Sequence, residues 1–306
     1  MHAGFWCMPR ESSSRANVSS PARGCLYLVA TPIGNLEDIT LRALRILREA
    51  DQIACEDTRH TRKLLEHYDI HKPLVSYHEH NEMTRAAELL ISLEQGAKIA
   101  LVTDAGMPVV SDPGFQLVSL CRRHQIRVVP VPGPSALLGA LSASGIASDE
   151  FVFVGFLPSR QGERRRALDR LRLEDRTTIL YEAPHRLEDC LADALEILGD
   201  RPGCLAREIT KLHEEFQHGR LSQLLELARE NPPRGEITLV LGPPENRAAG
   251  TLREATVSLA QRVDELIRQA KLDRKDALKL VARERGLTRR AAYQEMLKAR
   301  EQERNP

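Results

Sequence analysis

Several motifs that mark common classes of enzyme are missing from this chain of 306 residues. It has neither GxGxxG nor GxxxxGK followed by Ser or Thr, the turns that hold the phosphates of dinucleotides and nucleoside triphosphates. It has no GxSxG turn, which argues against an α/β-hydrolase. No apolar run is long enough to span a membrane. Sites of these kinds therefore have no support in the sequence.

The spacings of a disulfide framework or a metal site are missing as well. The six cysteines are scattered without a CxxC pair, which is typical of reduced, buried thiols in a cytoplasmic protein. His67 and His71 are four residues apart, but the helix pattern ends between them. The pair His78 and His80 has no third ligand in view, and "HEEFQH" is one residue longer than HExxH. We therefore expect no metal.

The first 24 residues are rich in Ser and Arg and lack the apolar central region of a secretory signal. We expect residues 1–24 to be a disordered extension and the protein to be cytoplasmic. A transit peptide and a misplaced, upstream start codon are the alternative interpretations.

Apolar runs and amphipathic stretches alternate through most of the chain. One series lies within residues 25–148 and a second within 149–245, which predicts two α/β domains. From residue 250 to 306 the strands stop and three helices follow, with Asp273 and Thr288 as candidate N-caps. We therefore expect a small all-α, helix-turn-helix-like domain at the C-terminus.

The helical tail carries an excess of positive charge. It holds 14 Lys and Arg against 9 Asp and Glu, in a chain whose net charge is +1. Such an excess suggests an anionic partner, although a solvated helical face has the same pattern. The candidate recognition-helix residues are Arg289, Arg290 and Lys298, beside Arg283 and Arg285.

The stretch "LYLVATPIGNLEDIT" (26–40) joins a predicted strand to a predicted helix through a tight turn. Pro32 fixes one φ angle, Gly34 permits a positive one, and Asp38 or Thr40 can cap the helix. Backbone amides therefore lie near the C-terminal end of a strand, where open α/β sheets bind ligands.

Three further loops combine small residues with short polar side chains: "TDAGMPVVSDPG" (103–114), "VPGPSA" (131–136) and "YEAPHR" (181–186). Small residues let the backbone come close to a ligand. The polar atoms come from Asp104, Ser111, Asp112 and Ser135, although short Asp and Ser side chains often only cap turns.

Charged side chains follow two other predicted strands. Glu56, Asp57 and Arg59 lie in "CEDTRHT", and Arg207, Glu208 and Lys211 lie in "REITK". Strand ends of this kind face the ligand in α/β proteins, but a structural ion pair is an equally good interpretation of each.

Taken in order, these loops resemble the tetrapyrrole methylase superfamily, in the subgroup that acts on ribosomal RNA. The segments that carry the resemblance are "ATPIGNLEDIT", "CEDTRHT", "TDAGMPVVSDPG", "VPGPSALLGALSASG", "FVFVGFLP", "YEAPHR", "REITKLHEEF" and "GEITLVLG". It implies two α/β domains of the tetrapyrrole methylase type (class III S-adenosylmethionine methyltransferase) plus the small all-α C-terminal domain. It also implies a homodimer.

The resemblance implies S-adenosylmethionine as cofactor and small-subunit ribosomal RNA, or the assembled small subunit, as partner. The acceptor would be the ribose 2′-hydroxyl of a cytidine in the decoding region. This cofactor has no phosphate and carries a sulfonium cation, so its site needs close backbone and small side chains rather than an anion-binding turn.

The site residues of the family carry over to this chain by the same resemblance. From the first domain, the cofactor would be lined by Pro32, Gly34, Asp104, Gly106, Val109, Ser111, Ser135 and Ala136, and from the second by Tyr181, Ala206 and Thr238. Candidate proton acceptors are Asp57, Glu182 and Lys211, and Arg59 and His185 are candidates for placing the ribose or a phosphate. Met107 stands where the subgroup is expected to have Thr, which a backbone role would tolerate.

Two other interpretations stay open. The shared scaffold also suits a methyltransferase that acts on a tetrapyrrole ring. The tail alone would suit a non-enzymatic regulator that binds nucleic acid. Transfer of a labelled methyl group to RNA separates all three.

Overall fold

The computed structural model describes residues 24–244, 259–270, 273–284, 287–288, 291–294 and 296. The predicted N-terminal extension and the candidate recognition residues Arg289, Arg290 and Lys298 lie outside these ranges. Within the ranges, no helix combines the length and the apolar character needed to cross a membrane.

The first sheet has five parallel strands in the order β3-β2-β4-β1-β5. Its strands are β1 (Cys25–Val29), β2 (Gln52–Cys55), β3 (Leu74–Ser76), β4 (Lys98–Val102) and β5 (Arg127–Val131). The apolar run at β1 lies in the interior of this order, as expected for a strand covered on both faces. All five C-terminal ends therefore meet at one edge of the sheet.

Five helices accompany this sheet: α1 (Leu41–Glu49), α2 (Thr58–His67), α3 (Glu82–Glu94), α4 (Phe115–Arg123) and α5 (Ala136–Ala143). Of the two predicted caps for α1, Thr40 is the one used, and its side chain accepts a hydrogen bond from the Ala43 amide at 3.0 Å. Two buried clusters form the core, one containing Leu47 and Ile53 and the other Leu93 and Leu117. This packing holds the strand ends in place.

The second sheet is mixed, with the order β6-β7-β10-β8-β9. Its strands are β6 (Phe151–Phe156), β7 (Thr177–Glu182), β8 (Pro202–Arg207), β9 (Glu215–Arg220) and β10 (Ile237–Leu241). The pair β6 and β7 is parallel, whereas β10 is antiparallel to both of its neighbours and β9 is antiparallel to β8. Three helices accompany the sheet: α6 (Gln161–Arg170), α7 (Leu187–Leu198) and α8 (Leu221–Glu230).

The chain divides into two compact units. The first extends to Gly139 and includes the loop Glu208–Glu214, and the second contains Ala140–Arg207 and the chain from Glu215 onward. The "REITK" loop thus contributes to the first unit although it follows a strand of the second. The domain boundaries drawn from the sequence at 148/149 and 245 stay predictions.

The described part of the tail is helical, with α9 (Leu259–Ala270) and α10 (Arg274–Glu284). Asp273 accepts a hydrogen bond from the Asp276 amide at 2.8 Å, and Thr288 accepts one from the Ala291 amide at 3.3 Å. Both predicted N-caps are therefore in use. The helices share a small apolar core of their own that includes Val263, Val281 and Met296.

Candidate functional site

The turn after β1 is tied to the loop after β4. The backbone of Thr31 and Gly106 forms a two-way bridge, with N···O distances of 2.9 and 3.1 Å. The Thr31 hydroxyl donates to the Thr103 carbonyl at 3.0 Å. Two of the predicted loops therefore lie side by side at the C-terminal edge of the first sheet, which is where parallel sheets bind ligands.

The loop after β4 contains residues with positive φ, a backbone conformation that residues other than glycine rarely adopt. Gly106 has φ of 82°, and Val109 and Ser111 have φ of 77° and 63° although neither is glycine. Left-handed conformations of this kind cost roughly 1–3 kcal/mol each for non-glycine residues and cluster at ligand sites. The loop is thus held in a strained shape by its surroundings.

Carboxyl groups gather at the ends of β2 and β4. The Thr103 hydroxyl donates to Glu56 Oε2 at 3.3 Å. Burial and the neighbouring Asp104 raise the pKa of Glu56. Burial also raises the pKa of Asp112 to about 6, against a hydrogen bond from Thr103 that lowers it. Three carboxyl groups therefore lie near one another at this edge, and the pKa values of two of them, Glu56 and Asp112, are raised.

The Asp57 side chain caps α2. It accepts a hydrogen bond from the Arg59 amide at 2.8 Å and pairs with the Arg59 guanidinium at 3.0 Å. These bonds from Arg59 lower the pKa of Asp57 to about 2. The Asp57 amide donates to Asp104 Oδ1 at 3.2 Å, so the "EDTR" segment is joined to the loop after β4. Arg59 is 86% exposed and points into solvent.

The stem of Lys211 lies against Gly34. A Cβ added at Gly34 would stand 2.3 Å from Lys211 Cγ and 2.7 Å from Lys211 Cε. The Lys211 ammonium pairs with Glu208 Oε1 at 2.8 Å. Glu208 and Thr210 have φ of 51° and 68°. Position 34 therefore has to be glycine, because the Lys211 side chain fills the space that a Cβ would need. The loop that carries Lys211 is itself strained.

The loop after β5 also approaches the end of β1. A Cβ added at Gly133 would stand 3.0 Å from the Cβ of Ala30. The Ser135 hydroxyl accepts from the Leu138 amide at 3.4 Å, and Ala136 begins α5. Pro32 is buried in the turn after β1. The small residues predicted at this edge thus serve close packing of backbone.

Three predicted residues of the second unit lie in one row. Thr238 on β10 is paired in register with Tyr181 on β7 and with Ala206 on β8. Registered residues on adjacent strands face the same side of a sheet. The rings of Phe153 and Phe156 lie 5.0 and 5.6 Å from that of Tyr181. The resemblance grouped these three residues, and the register of the three strands makes them neighbours.

Glu182 and His185 differ in exposure. The Glu182 side chain is 0% exposed, accepts from the Ala183 amide at 2.8 Å and lies 3.3 Å from Arg186 Nε. Arg186 in turn donates to the Leu157 carbonyl at 2.6 Å. His185 is exposed in the short helix Pro184–Arg186. Glu182 therefore holds the "YEAPHR" turn, while His185 faces solvent.

Two residues that join these loops were not among the candidates that the sequence indicated. They are Thr31 and Thr103, which follow strands of the first sheet by two residues and by one residue. That position is the signal that would have found them. Among the residues described, no group of three or more His, Cys, Asp or Glu side chains is placed to hold a metal ion.

Residues 25–225 match the family of tetrapyrrole (corrin/porphyrin) methylases. Relatives from eight organisms bear the name ribosomal RNA small subunit methyltransferase I, among them the following three. The one from Halalkalibacterium halodurans is 48% identical over 272 residues, 89% of this chain and 94% of the relative. The one from Thermotoga maritima is 52% identical over 222 residues, 72% and 100% of the two chains. The one from Escherichia coli O157:H7 is 44% identical, with 89% and 94% covered.

Two solved structures share the fold. A uroporphyrin-III-C-methyltransferase from Thermus thermophilus has a TM-score of 0.51 at 26% identity, covering 74% of this chain and 98% of its own. A diphthine synthase has a TM-score of 0.56 at 17% identity, covering 72% and 90%. Proteins with this fold thus act on different substrates.

Proposed function

Because the chain belongs to the tetrapyrrole (corrin/porphyrin) methylase family, in its ribosomal RNA small subunit methyltransferase I branch, we propose that it methylates small-subunit ribosomal RNA with S-adenosylmethionine. The proposed acceptor is the ribose 2′-hydroxyl of a cytidine in the decoding region. The observation that carries the proposal is the 48% identity to a relative of that name over 89% of this chain.

The first unit offers a donor set that suits this cofactor. Glu56, Asp104 and Asp112 place carboxyl groups at the edge where Thr31 and Gly106 present close backbone. Carboxylates favour a sulfonium cation, amines and hydroxyl groups and disfavour phosphate. Backbone that is free of side chains leaves room for a flat adenine ring. The residues present therefore fit S-adenosylmethionine.

When bound, the cofactor supplies a methyl group that is already activated by its sulfonium, so positioning matters more than strong acid–base catalysis. The Lys211 ammonium, which pairs with Glu208 at 2.8 Å, is proposed to stabilise the negative charge that develops on the ribose oxygen as the hydroxyl proton passes to solvent. Arg59 and His185, both exposed, are proposed to hold the ribose or a phosphate. Asp57 would orient Arg59.

The second unit is proposed to contribute the row of Tyr181, Thr238 and Ala206 to cofactor binding. Because the Glu182 side chain is fully buried, its proposed role becomes support for Arg186 and the "YEAPHR" turn rather than proton transfer. The homodimer, the cytoplasmic location and RNA contact by the tail also stay proposals.

We expect tritium from labelled S-adenosylmethionine to enter the RNA of isolated small ribosomal subunits when the full chain is added. A parallel reaction with uroporphyrinogen III tests the tetrapyrrole alternative, which the similarity to the Thermus thermophilus enzyme makes worth measuring. Nuclease digestion of the labelled RNA to nucleosides then identifies the acceptor. Label in the tetrapyrrole and none in RNA would overturn the proposal, and label in neither would favour a non-enzymatic binding protein.

We expect Asp57→Ala and Arg59→Ala to lower methyl transfer by roughly 10²-fold while S-adenosylmethionine affinity is kept, which is the effect of a positioned polar group that acts on the RNA. Asp57→Asn separates the two functions of this side chain, because asparagine still caps α2 but no longer pairs with Arg59. Arg45→Ala is the matched control, since Arg45 forms an exposed pair with Glu49 at 2.9 Å on another helix of the same unit. Normal turnover in Asp57→Asn and Arg59→Ala would make the segment a helix cap only.

A further inference from the structure

Arginine is concentrated in and just after α6. Residues 160–172 contain six arginines, two acidic residues and no lysine. Arginine presents a planar fork of N–H donors that matches the oxygen atoms of a phosphate. The arginines of such a helix either form ion pairs within the protein or stay available to an anionic partner. The structure shows which of these applies to each arginine.

Two of the arginines are neutralised within the second unit. Arg164 is 3% exposed and pairs with the buried Asp193 of α7 at 2.7 Å. Arg165 pairs with Asp193 at 2.9 Å and donates to Glu196 at 2.7 Å. These pairs fasten α6 to α7. They also occupy Asp193 and Glu196, which therefore do not neutralise the outer face of α6.

The outer face of α6 carries arginines that the protein does not pair. Arg166 and Arg170 are exposed and four residues apart, so they lie on one face of the helix. In the part of the chain that the structure describes, neither forms an ion pair or a side-chain hydrogen bond. Arg172 is also exposed and lies two residues beyond the end of α6. The two acids of the segment are Glu163, which lies 3.6 Å from Arg160, and the exposed Asp169.

We propose that this α6 arginine surface, Arg166 and Arg170, docks the phosphate backbone of the RNA substrate. The inference rests on the proposed function, which supplies an RNA partner, and the unpaired arginines supply the charge complementarity. The buried network under α6 holds the helix in place before binding, so little order has to be gained when the phosphates arrive. Contacts of this kind add affinity and do not select sequence.

Binding of the full chain to small-subunit ribosomal RNA transcribed in vitro, measured by filter retention over a salt series, tests this surface. Each lost phosphate contact should flatten the slope of log affinity against log salt by roughly 0.7–0.9. We therefore expect the double variant Arg166→Gln/Arg170→Gln to lower the slope by roughly 1.4–1.8. The control is Arg122→Gln/Arg123→Gln, which removes the same charge from two exposed arginines of α4 in the first unit.

S-adenosylmethionine affinity, measured on each variant, reports whether the fold is intact. An α6 variant whose slope equals that of the control overturns the inference. So does a variant that raises KM for assembled small subunits while leaving the RNA slope unchanged, since the surface would then contact protein. The proposed function fails separately, if the unaltered chain transfers no methyl group to RNA.

Discussion

Replacing Gly34 by alanine should lower methyl transfer by roughly 10²-fold, because displacement of a catalytic group by about 1 Å has effects of this size. The space beside Gly34 is filled by the Lys211 stem, and a Cβ there would stand 2.3 Å from Lys211 Cγ. Such a contact forces the stem to move, and the ammonium at its end moves with it. The measurement is kcat and KM for RNA methylation at saturating S-adenosylmethionine.

The double variant distinguishes this mechanism from general damage. If alanine at Gly34 acts through Lys211, Lys211→Ala should cost roughly 10²- to 10³-fold alone, and adding Gly34→Ala to it should cost little more. Lys211→Arg, which keeps the charge, should recover part of the activity. Gly162→Ala is the control, because nothing lies within 4 Å of a Cβ added there. Additive effects of the two substitutions would separate the glycine from the lysine.

Gly106→Val is expected to weaken S-adenosylmethionine binding by at least roughly 100-fold, because strain of ~1–3 kcal/mol for a non-glycine residue adds to the loss of space. Gly106 has φ of 82° and bridges Thr31. A Cβ there would only touch Ile33 Cγ2 at 3.5 Å and the Pro134 carbonyl oxygen at 3.8 Å, but the two further methyl groups of valine reach beyond it. Isothermal titration in the presence of a chelator measures the affinity without assistance from metal.

A second glycine with positive φ serves as the control for backbone strain. Gly145 also has positive φ, at 65°, and nothing lies within 4 Å of a Cβ added there. Gly145→Val should therefore lower thermal stability and leave S-adenosylmethionine binding unchanged, whereas Gly106→Val should lower both. Normal binding by Gly106→Val would show that Gly106 is a turn residue without a ligand.

Only part of the candidate site could be predicted from the sequence, and Gly34 shows why. Its place in a tight turn after an apolar strand indicated a backbone that something must approach closely. The sequence could not say that this would be Lys211, which is brought there by a loop far along the chain. Glu182 shows the converse, since its motif indicated chemistry and only the packing revealed that its side chain is fully buried.

What the sequence by itself determined was local: the alternation of strands and helices, the Thr40, Asp273 and Thr288 caps, and the positive φ at Gly34. These follow from residues a few positions apart, whose spacing, hydrogen bonding and φ preferences act along the chain. Only the tertiary structure decided the row of Tyr181, Thr238 and Ala206, the bridge between Thr31 and Gly106, and which arginines of α6 stay unpaired. Those depend on strand register and on packing between distant segments, which no local pattern specifies.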